Sequence, residues 1–255
     1  MGMHIIFFFL SFVWKDSYEI QQSTEPATVF EYQVMFNLKF DRDQKFMEYR
    51  GFMYASPTAS DFFMVTNLGS NMAPLNQNEI RIEKDTMFRV RKDFNDDVMI
   101  FSDLNLQGKD VYYRDTIHPM RWELSEETKM IDSLLCHKAE TFFRGRRYTA
   151  WYCPAIELPY GPWKLGGLPG LIVEAYENKK DIYFLLKRLS PALSAYTIPA
   201  SPAASLQGYP EHQKYWRNVK KVMRGAFQGK EDSDCISCLT RTDVQFFTWE
   251  VIPER

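Results

Sequence analysis

The chain has 255 residues, of which 45% are hydrophobic and 25% are charged, and its formal net charge is −2. This length corresponds to one large domain or two small ones, and the composition is typical of a globular protein with a substantial core. A nearly balanced charge gives no indication of binding to nucleic acid or to an anionic membrane surface. Aromatic residues make up 16% of the chain, and among short β-like runs they are typical of a β core.

An apolar run, Ile5–Trp14, lies near the start of the sequence and is followed by Lys15 and Asp16. The run is too short to span a bilayer as a helix, but it has the length of the hydrophobic region of a signal peptide. A buried first strand is the alternative interpretation. We predict a signal peptide over residues 1–22, a single β-rich domain over residues 23–255 and no transmembrane segment. The predicted location is periplasmic or otherwise exported.

Strand-like segments dominate the first half of the chain. Val29–Phe40 alternates strictly, with its aromatic and aliphatic side chains on one face, and Lys45–Ala55 returns after a polar turn. Residues 60–66 are apolar without a clear period. Shorter candidate strands follow at Glu79–Lys84, Thr86–Lys92, Val98–Ser102 and Lys109–Arg114.

The second half of the chain contains a hairpin, a linker and a helix. Cys136–Phe143 and Arg146–Cys153 are β-prone runs separated by Arg144 and Gly145, and glycine supplies the positive φ that a two-residue hairpin turn needs. Leu171–Tyr176 resumes a strand, Ser190–Tyr209 reads as a linker, Glu211–Phe227 has helical spacing, and Val244–Val251 is a candidate last strand. The predicted fold is mainly β (α+β): an antiparallel, curved, half-barrel sheet with a C-terminal helix.

The hairpin turn fixes which residues face each other. If Arg144 and Gly145 form the loop, opposed residues have numbers that add to 289, and Cys136 falls opposite Cys153. Directly opposed Cβ atoms lie roughly 4.5–5.5 Å apart, so a small adjustment would allow a disulfide. Two unpaired cysteines packed as small apolar groups are the alternative.

Cys235 and Cys238 form a C-x-x-C pair. One such pair is at most half of a zinc ribbon, and a thioredoxin-like motif would need an α/β setting. A local disulfide is the favoured interpretation, followed by a metal or redox site. The metal-binding character of this pair is therefore left open.

A glycine- and proline-rich segment, residues 159–172, excludes an ordinary helix or central strand. It is either an ordered apolar loop that caps one end of the sheet or a rim around a ligand or partner site. The candidate rim residues are Gly161, Pro162, Trp163, Gly167, Leu168, Pro169 and Gly170.

The hexapeptide Gly167-Leu168-Pro169-Gly170-Leu171-Ile172 is the one that names the GLPGLI family, which this chain therefore resembles. The neighbouring elements resemble the family in the same order, and they are Ser60–Phe62, Trp122 with residues 128–131, Cys136–Ala139, Arg146–Tyr152, Ile156–Pro159 and Gly161-Pro162. The resemblance implies an exported protein of Gram-negative bacteria. It carries no catalytic residue, because none is established for the family.

Two functional hypotheses follow. The first is a non-catalytic cell-envelope protein that binds an apolar ligand or a partner protein, such as an outer-membrane or envelope protein, through the concave sheet. The second is a metal- or thiol-dependent envelope protein that uses Cys235 and Cys238. No catalytic residue, cofactor or nucleic-acid partner is indicated by the sequence.

Overall fold

The structure is a computed structural model that describes residues 27–40, 43–65, 86–104, 110–193, 206–228 and 250. Within this part of the chain, strands form a single sheet and one helix follows them. The elements are β1 (Ala27–Phe40), β2 (Asp43–Ala55), β3 (Ala59–Val65), β4 (Thr86–Asp93), β5 (Val98–Leu104), β6 (Asp110–Thr116), β7 (Glu123–Ile131), β8 (Leu134–Phe143), β9 (Arg146–Cys153), β10 (Leu171–Glu177), β11 (Ile182–Leu193), β12 (Gln207–Gly208) and α1 (Tyr209–Gln228).

The sheet has 12 strands in the order β12-β6-β5-β4-β3-β2-β1-β11-β10-β9-β8-β7. Every neighbouring pair is antiparallel except β12 with β6, which is parallel. The predicted mainly β fold with a helix near the C-terminal end is confirmed. Among the described residues, no helix combines the length and apolar character that a membrane span requires.

Strict alternation along β1 fills one face of the sheet. Phe30, Tyr32, Val34 and Phe36 are buried in the main apolar core, whereas the side chains between them are less buried or polar. Their neighbours on β2, β3 and β11 point the same way, because opposed residues in a ladder share a face. The predicted strands Val29–Phe40 and Lys45–Ala55 are therefore confirmed, and so is the period-2 pattern.

The sheet curls strongly toward this face. Arg144, in the turn between β8 and β9, forms an ion pair with Asp115 of β6. Eight strands separate β6 from β8 in the sheet order, which in a flat sheet would put them about 43 Å apart at roughly 4.8 Å per strand. The ion pair can form only because the sheet bends into a half-barrel whose two flanks approach each other.

Three strands lack the alternating burial or the bounds that their sequences predict. β3 has both faces buried, because a second apolar cluster that includes Phe52 and Phe63 covers its outer side, and alternation is therefore absent. β7 is almost fully exposed, and β11 continues through Pro191 past exposed charged residues. The candidate strands Glu79–Lys84 and Val244–Val251 and the predicted signal peptide lie outside the described residues, apart from Glu250.

Candidate functional site

The segment between β9 and β10, residues 154–170, packs inside the curl of the sheet. Trp163, Leu165 and Leu168 are each no more than 2% exposed. The Trp163 ring lies 6.0 Å from the rings of both Phe143 and Tyr148. The concave face is therefore filled by this segment, which we call the core loop.

Hydrogen bonds fix the path of the core loop. The Gly167 amide donates a hydrogen bond to the Pro159 carbonyl at 2.8 Å, and the Ile172 amide donates one to the Tyr160 carbonyl at 2.9 Å. From outside the loop, the Trp122 indole donates to the Gly166 carbonyl at 2.9 Å. Buried backbone groups of an irregular segment need such partners, so the loop is a specified part of the core.

Gly170 occupies a position that only glycine fits. Its φ is 146°, and a Cβ built there would lie 2.3 Å from the Cys153 carbonyl oxygen. Gly167 also has a positive φ, of 83°, but a Cβ there would meet nothing within 4 Å. One glycine of the hexapeptide therefore allows close backbone contact, and the other serves the turn.

The seven candidate rim residues separate into two groups. Gly161, Pro162, Trp163, Leu168 and Gly170 are buried, whereas Gly167 and Pro169 are exposed. Five of the seven candidate rim residues thus belong to the buried part of the core loop.

Ionisable side chains meet beside the core loop. Lys164 of the loop forms an ion pair with Glu250, and Tyr209 of α1 donates a hydrogen bond of 2.7 Å to the same carboxylate. The Arg144 guanidinium lies 3.8 Å from the Tyr209 ring centroid. Burial lowers the pKa of Lys164. Burial opposes the charge on Glu250 too, but Lys164 and Arg144 outweigh it and lower the pKa of that carboxyl.

A second buried lysine holds the loop backbone. Lys92 of β4 donates to the Leu165 carbonyl at 2.6 Å. Burial, together with the charge of Lys164, lowers the pKa of Lys92 from 10.5 to about 7. Burial of an ammonium group is costly, so this lysine becomes neutral more easily than an exposed one.

A small cavity lies between the loop, β5 and α1. Its volume is about 20 Å³, and its lining includes Lys164, Trp216 and Asp103. Asp103 accepts one hydrogen bond from the Trp216 indole at 2.8 Å and pairs with His212 at 2.9 Å, and these contacts dock α1 on the sheet. The volume suits one water molecule and is far below the roughly 300 Å³ of a small-molecule pocket.

The predicted register of the β8–β9 hairpin is confirmed. Phe143 faces Arg146 and His137 faces Tyr152, and the turn residues Arg144 and Gly145 have φ values of 50° and 80°. Extending this register by one residue sets Cys136 opposite Cys153.

The two opposed cysteines are buried free thiols in the structure. Burial, with Cys153 nearby, raises the pKa of Cys136 to about 11, so this thiol is a poor nucleophile at neutral pH. Phe143 and Arg146, which flank the two-residue turn, form a hydrogen-bonded pair, and hydrogen-bonded and non-hydrogen-bonded pairs alternate from there. The cysteine pair is seven residues further along each strand and therefore falls at a non-hydrogen-bonded position. Cα atoms at such positions are about 4.5 Å apart, which is within the range of disulfides.

The exposed large apolar side chains are concentrated on one hairpin. Leu124, Met130, Leu135 and Phe142 are 62%, 60%, 51% and 70% exposed, and all lie on β7 and β8. Leu124, Met130 and Leu135 share one face of the hairpin, because Leu124 faces Ala139 and Met130 faces Leu135, whereas Phe142 lies on the other face. We call Leu124, Met130 and Leu135 the hairpin patch. Among the described strands, β7 pairs only with β8 and is one end of the sheet.

Cys235 and Cys238 lie outside the described residues. Within the described part of the chain, no group of histidine, cysteine, aspartate and glutamate side chains is arranged to hold a metal ion. His137, which follows Cys136 in sequence, packs against the Tyr152 ring at 5.7 Å. Sequence reasoning missed the cluster around Lys164, since its members are far apart in the chain and each resembles an ordinary surface residue.

No protein-family model and no curated protein matches this chain. Solved structures of PNGF-II in two crystal forms are similar to it, with TM-scores of 0.46 and 0.47 and sequence identities of 14% and 13%. These matches cover 75% of this chain and 33% and 32% of the PNGF-II chains. The chain thus spans about a third of the length of these PNGF-II structures.

Proposed function

We propose that this chain is a non-catalytic cell-envelope protein that binds a partner protein through the hairpin patch and the outer edge of β7. The observation that carries the proposal is the concentration of exposed apolar side chains on the β7–β8 hairpin. Large apolar side chains grouped on one exposed face commonly mark a protein-binding site. The filled concave face supports an external site over an apolar ligand held inside the sheet.

The edge of β7 suggests the kind of partner. A strand at the end of a sheet leaves backbone donors and acceptors that an extended segment of another protein can pair with. Exposed Glu123 and Glu126 make this edge acidic, and Leu124 and Met130 add apolar contacts. We therefore assign an extended partner segment in which apolar residues alternate with lysine or arginine.

A second copy of this chain fits the edge poorly. Pairing β7 with itself would bring like charges together, which is unfavourable in a ladder. The β7–β8 register also shifts between Leu124 and Thr128, and such irregularities discourage pairing between edges. A different protein is thus the better partner.

The proposal includes export and membership of the GLPGLI family, supported by the hexapeptide at residues 167–172 and the apolar run at residues 5–14. An oxidising compartment would permit a disulfide between Cys136 and Cys153. In that reaction an external protein disulfide accepts two electrons from the two thiols and leaves as a dithiol, while a bond joins the two sulfur atoms. The opposed, non-hydrogen-bonded positions of the cysteines favour this bond.

Photo-crosslinking in the cell envelope of the source organism tests the proposal. A photoreactive phenylalanine analogue replaces Met130 in one protein and exposed Lys187 of β11 in the control. We expect one discrete product at position 130 that disappears on Leu124→Glu substitution, with no such product at position 187. Mass spectrometry should locate the crosslink in an extended basic and apolar segment. A product with a second copy, equal products at both positions, or no product at position 130 would refute the proposal.

A further inference from the structure

Three side chains from distant parts of the chain converge on the Glu250 carboxylate. Lys164 belongs to the core loop, Tyr209 begins α1, and Arg144 lies in the β8–β9 turn. Lys164 pairs with one carboxylate oxygen, and the Tyr209 hydroxyl donates to the other at 2.7 Å. Arg144 stacks on the Tyr209 ring at 3.8 Å and adds positive charge beside the carboxylate.

These groups are also held by contacts that do not involve Glu250. The Lys164 ammonium lies 3.4 Å from the centroid of the Phe101 ring, which is a cation–π contact. Arg144 forms its ion pair with Asp115 of β6. The donors are therefore oriented in advance, and an oriented site binds its ligand at a smaller entropic cost.

Burial makes the carboxylate partner of Lys164 costly to remove. The side chains of Lys164 and Glu250 are only 2% and 3% exposed. Removing one member of such a pair leaves a buried charge without compensation, which is strongly destabilising. The adjoining cavity of about 20 Å³ leaves no room for a group much larger than a carboxylate with a short side chain.

We infer that Lys164, Tyr209 and Arg144 form a carboxylate-binding site that Glu250 occupies in cis. A small carboxylate from solution takes the same place when the Glu250 side chain is removed. The site is distinct from the hairpin patch, since none of its residues lies on β7 or β8. It identifies Glu250 as an intramolecular ligand that ties α1 and the core loop together.

Chemical rescue of the full chain tests this inference. We expect Glu250→Ala to lower the melting temperature by roughly 10 °C, because a buried ammonium loses its partner. Sodium acetate or formate should raise the melting temperature of this variant saturably, by several degrees more than sodium chloride at equal ionic strength. The wild-type protein should respond equally to all three salts. Equal responses of the variant to acetate, formate and chloride would overturn the inference.

Two further variants decide the outcome. Lys164→Met combined with Glu250→Ala should remove the response to acetate and formate, and a response that persists would contradict the site. If Glu250→Ala does not fold, Glu250→Gln is compared with the double variant Lys164→Met/Glu250→Gln in the same full chain. The double variant should melt at a higher temperature, because it lacks the uncompensated cation. A double variant that melts no higher than Glu250→Gln alone would overturn the inference.

Discussion

The replacement Lys92→Met should change how the stability of this protein depends on pH. Lys92 is buried, and its ammonium group donates to the Leu165 carbonyl at 2.6 Å. Burial, with the nearby Lys164, lowers the pKa of Lys92 from 10.5 to about 7 in the folded protein. In the unfolded chain the side chain regains its ordinary pKa. Methionine has a similar length and removes the titrating group.

The sign of the effect follows from proton binding. Between pH 7 and pH 10.5 the unfolded chain keeps a proton on Lys92 that the folded protein has released. The free energy of unfolding therefore rises with pH in this window, and the contribution is fully present only above pH 10.5. Integration of the linkage relation between pH 7 and pH 9 gives a rise of about 2 kcal/mol. Below pH 7 both states are protonated, and the contribution to the slope disappears.

Urea denaturation at pH 7, 8 and 9 measures this effect. Wild-type protein and the control variant Lys187→Met, which changes an exposed lysine of β11, should each gain about 2 kcal/mol relative to Lys92→Met over this range. Titrating groups remote from Lys92 are common to the proteins and cancel in the comparison. Parallel curves for all three proteins would refute the assignment of Lys92 as a buried base with a lowered pKa.

Substitutions in the core loop and at the cysteine pair give three further tests. Gly170→Ala should prevent folding or severely destabilise the folded protein, since the new Cβ would lie 2.3 Å from a carbonyl oxygen. Gly167→Ala should cost only about 1 kcal/mol of backbone strain. Equal melting temperatures of the two variants would contradict the difference between these two positions. Leu168→Ala, at a side chain 1% exposed, should cost about 2–5 kcal/mol in urea titrations, and a loss below 1 kcal/mol would show that the loop is not core. Protein isolated from an oxidising compartment should yield a linked Cys136–Cys153 peptide in non-reducing mass spectrometry, with stability about 3 kcal/mol above that of the reduced form; free thiols at both positions would contradict the bond.

The sequence predicts the elements whose pattern is local. β1 alternates without interruption because only one of its faces enters the main core. The β8–β9 register follows from a two-residue turn with glycine at its second position, and the structure has that register. Both inferences rest on side-chain spacing and turn chemistry within a few residues, where sequence information is strongest.

Other features depend on contacts that are remote in sequence. β3 shows no alternation because both of its faces are buried, and β7 shows none because both are largely exposed. The ion pair between Lys164 and Glu250 joins residues 86 positions apart. Such pairs are created by the curl of the sheet and by the path of the core loop, neither of which has a local pattern that could predict it.

The proposed binding surface depends most directly on the packing of the core loop into the concave face, since that packing leaves the exposed β7–β8 hairpin as the apolar surface open to a partner. Native mass spectrometry of the protein purified without detergent measures this directly. We predict the mass of the polypeptide alone, because the cavity beside the loop has a volume of only about 20 Å³. A retained adduct with the mass of a lipid or another large apolar molecule, released on unfolding, would contradict the account.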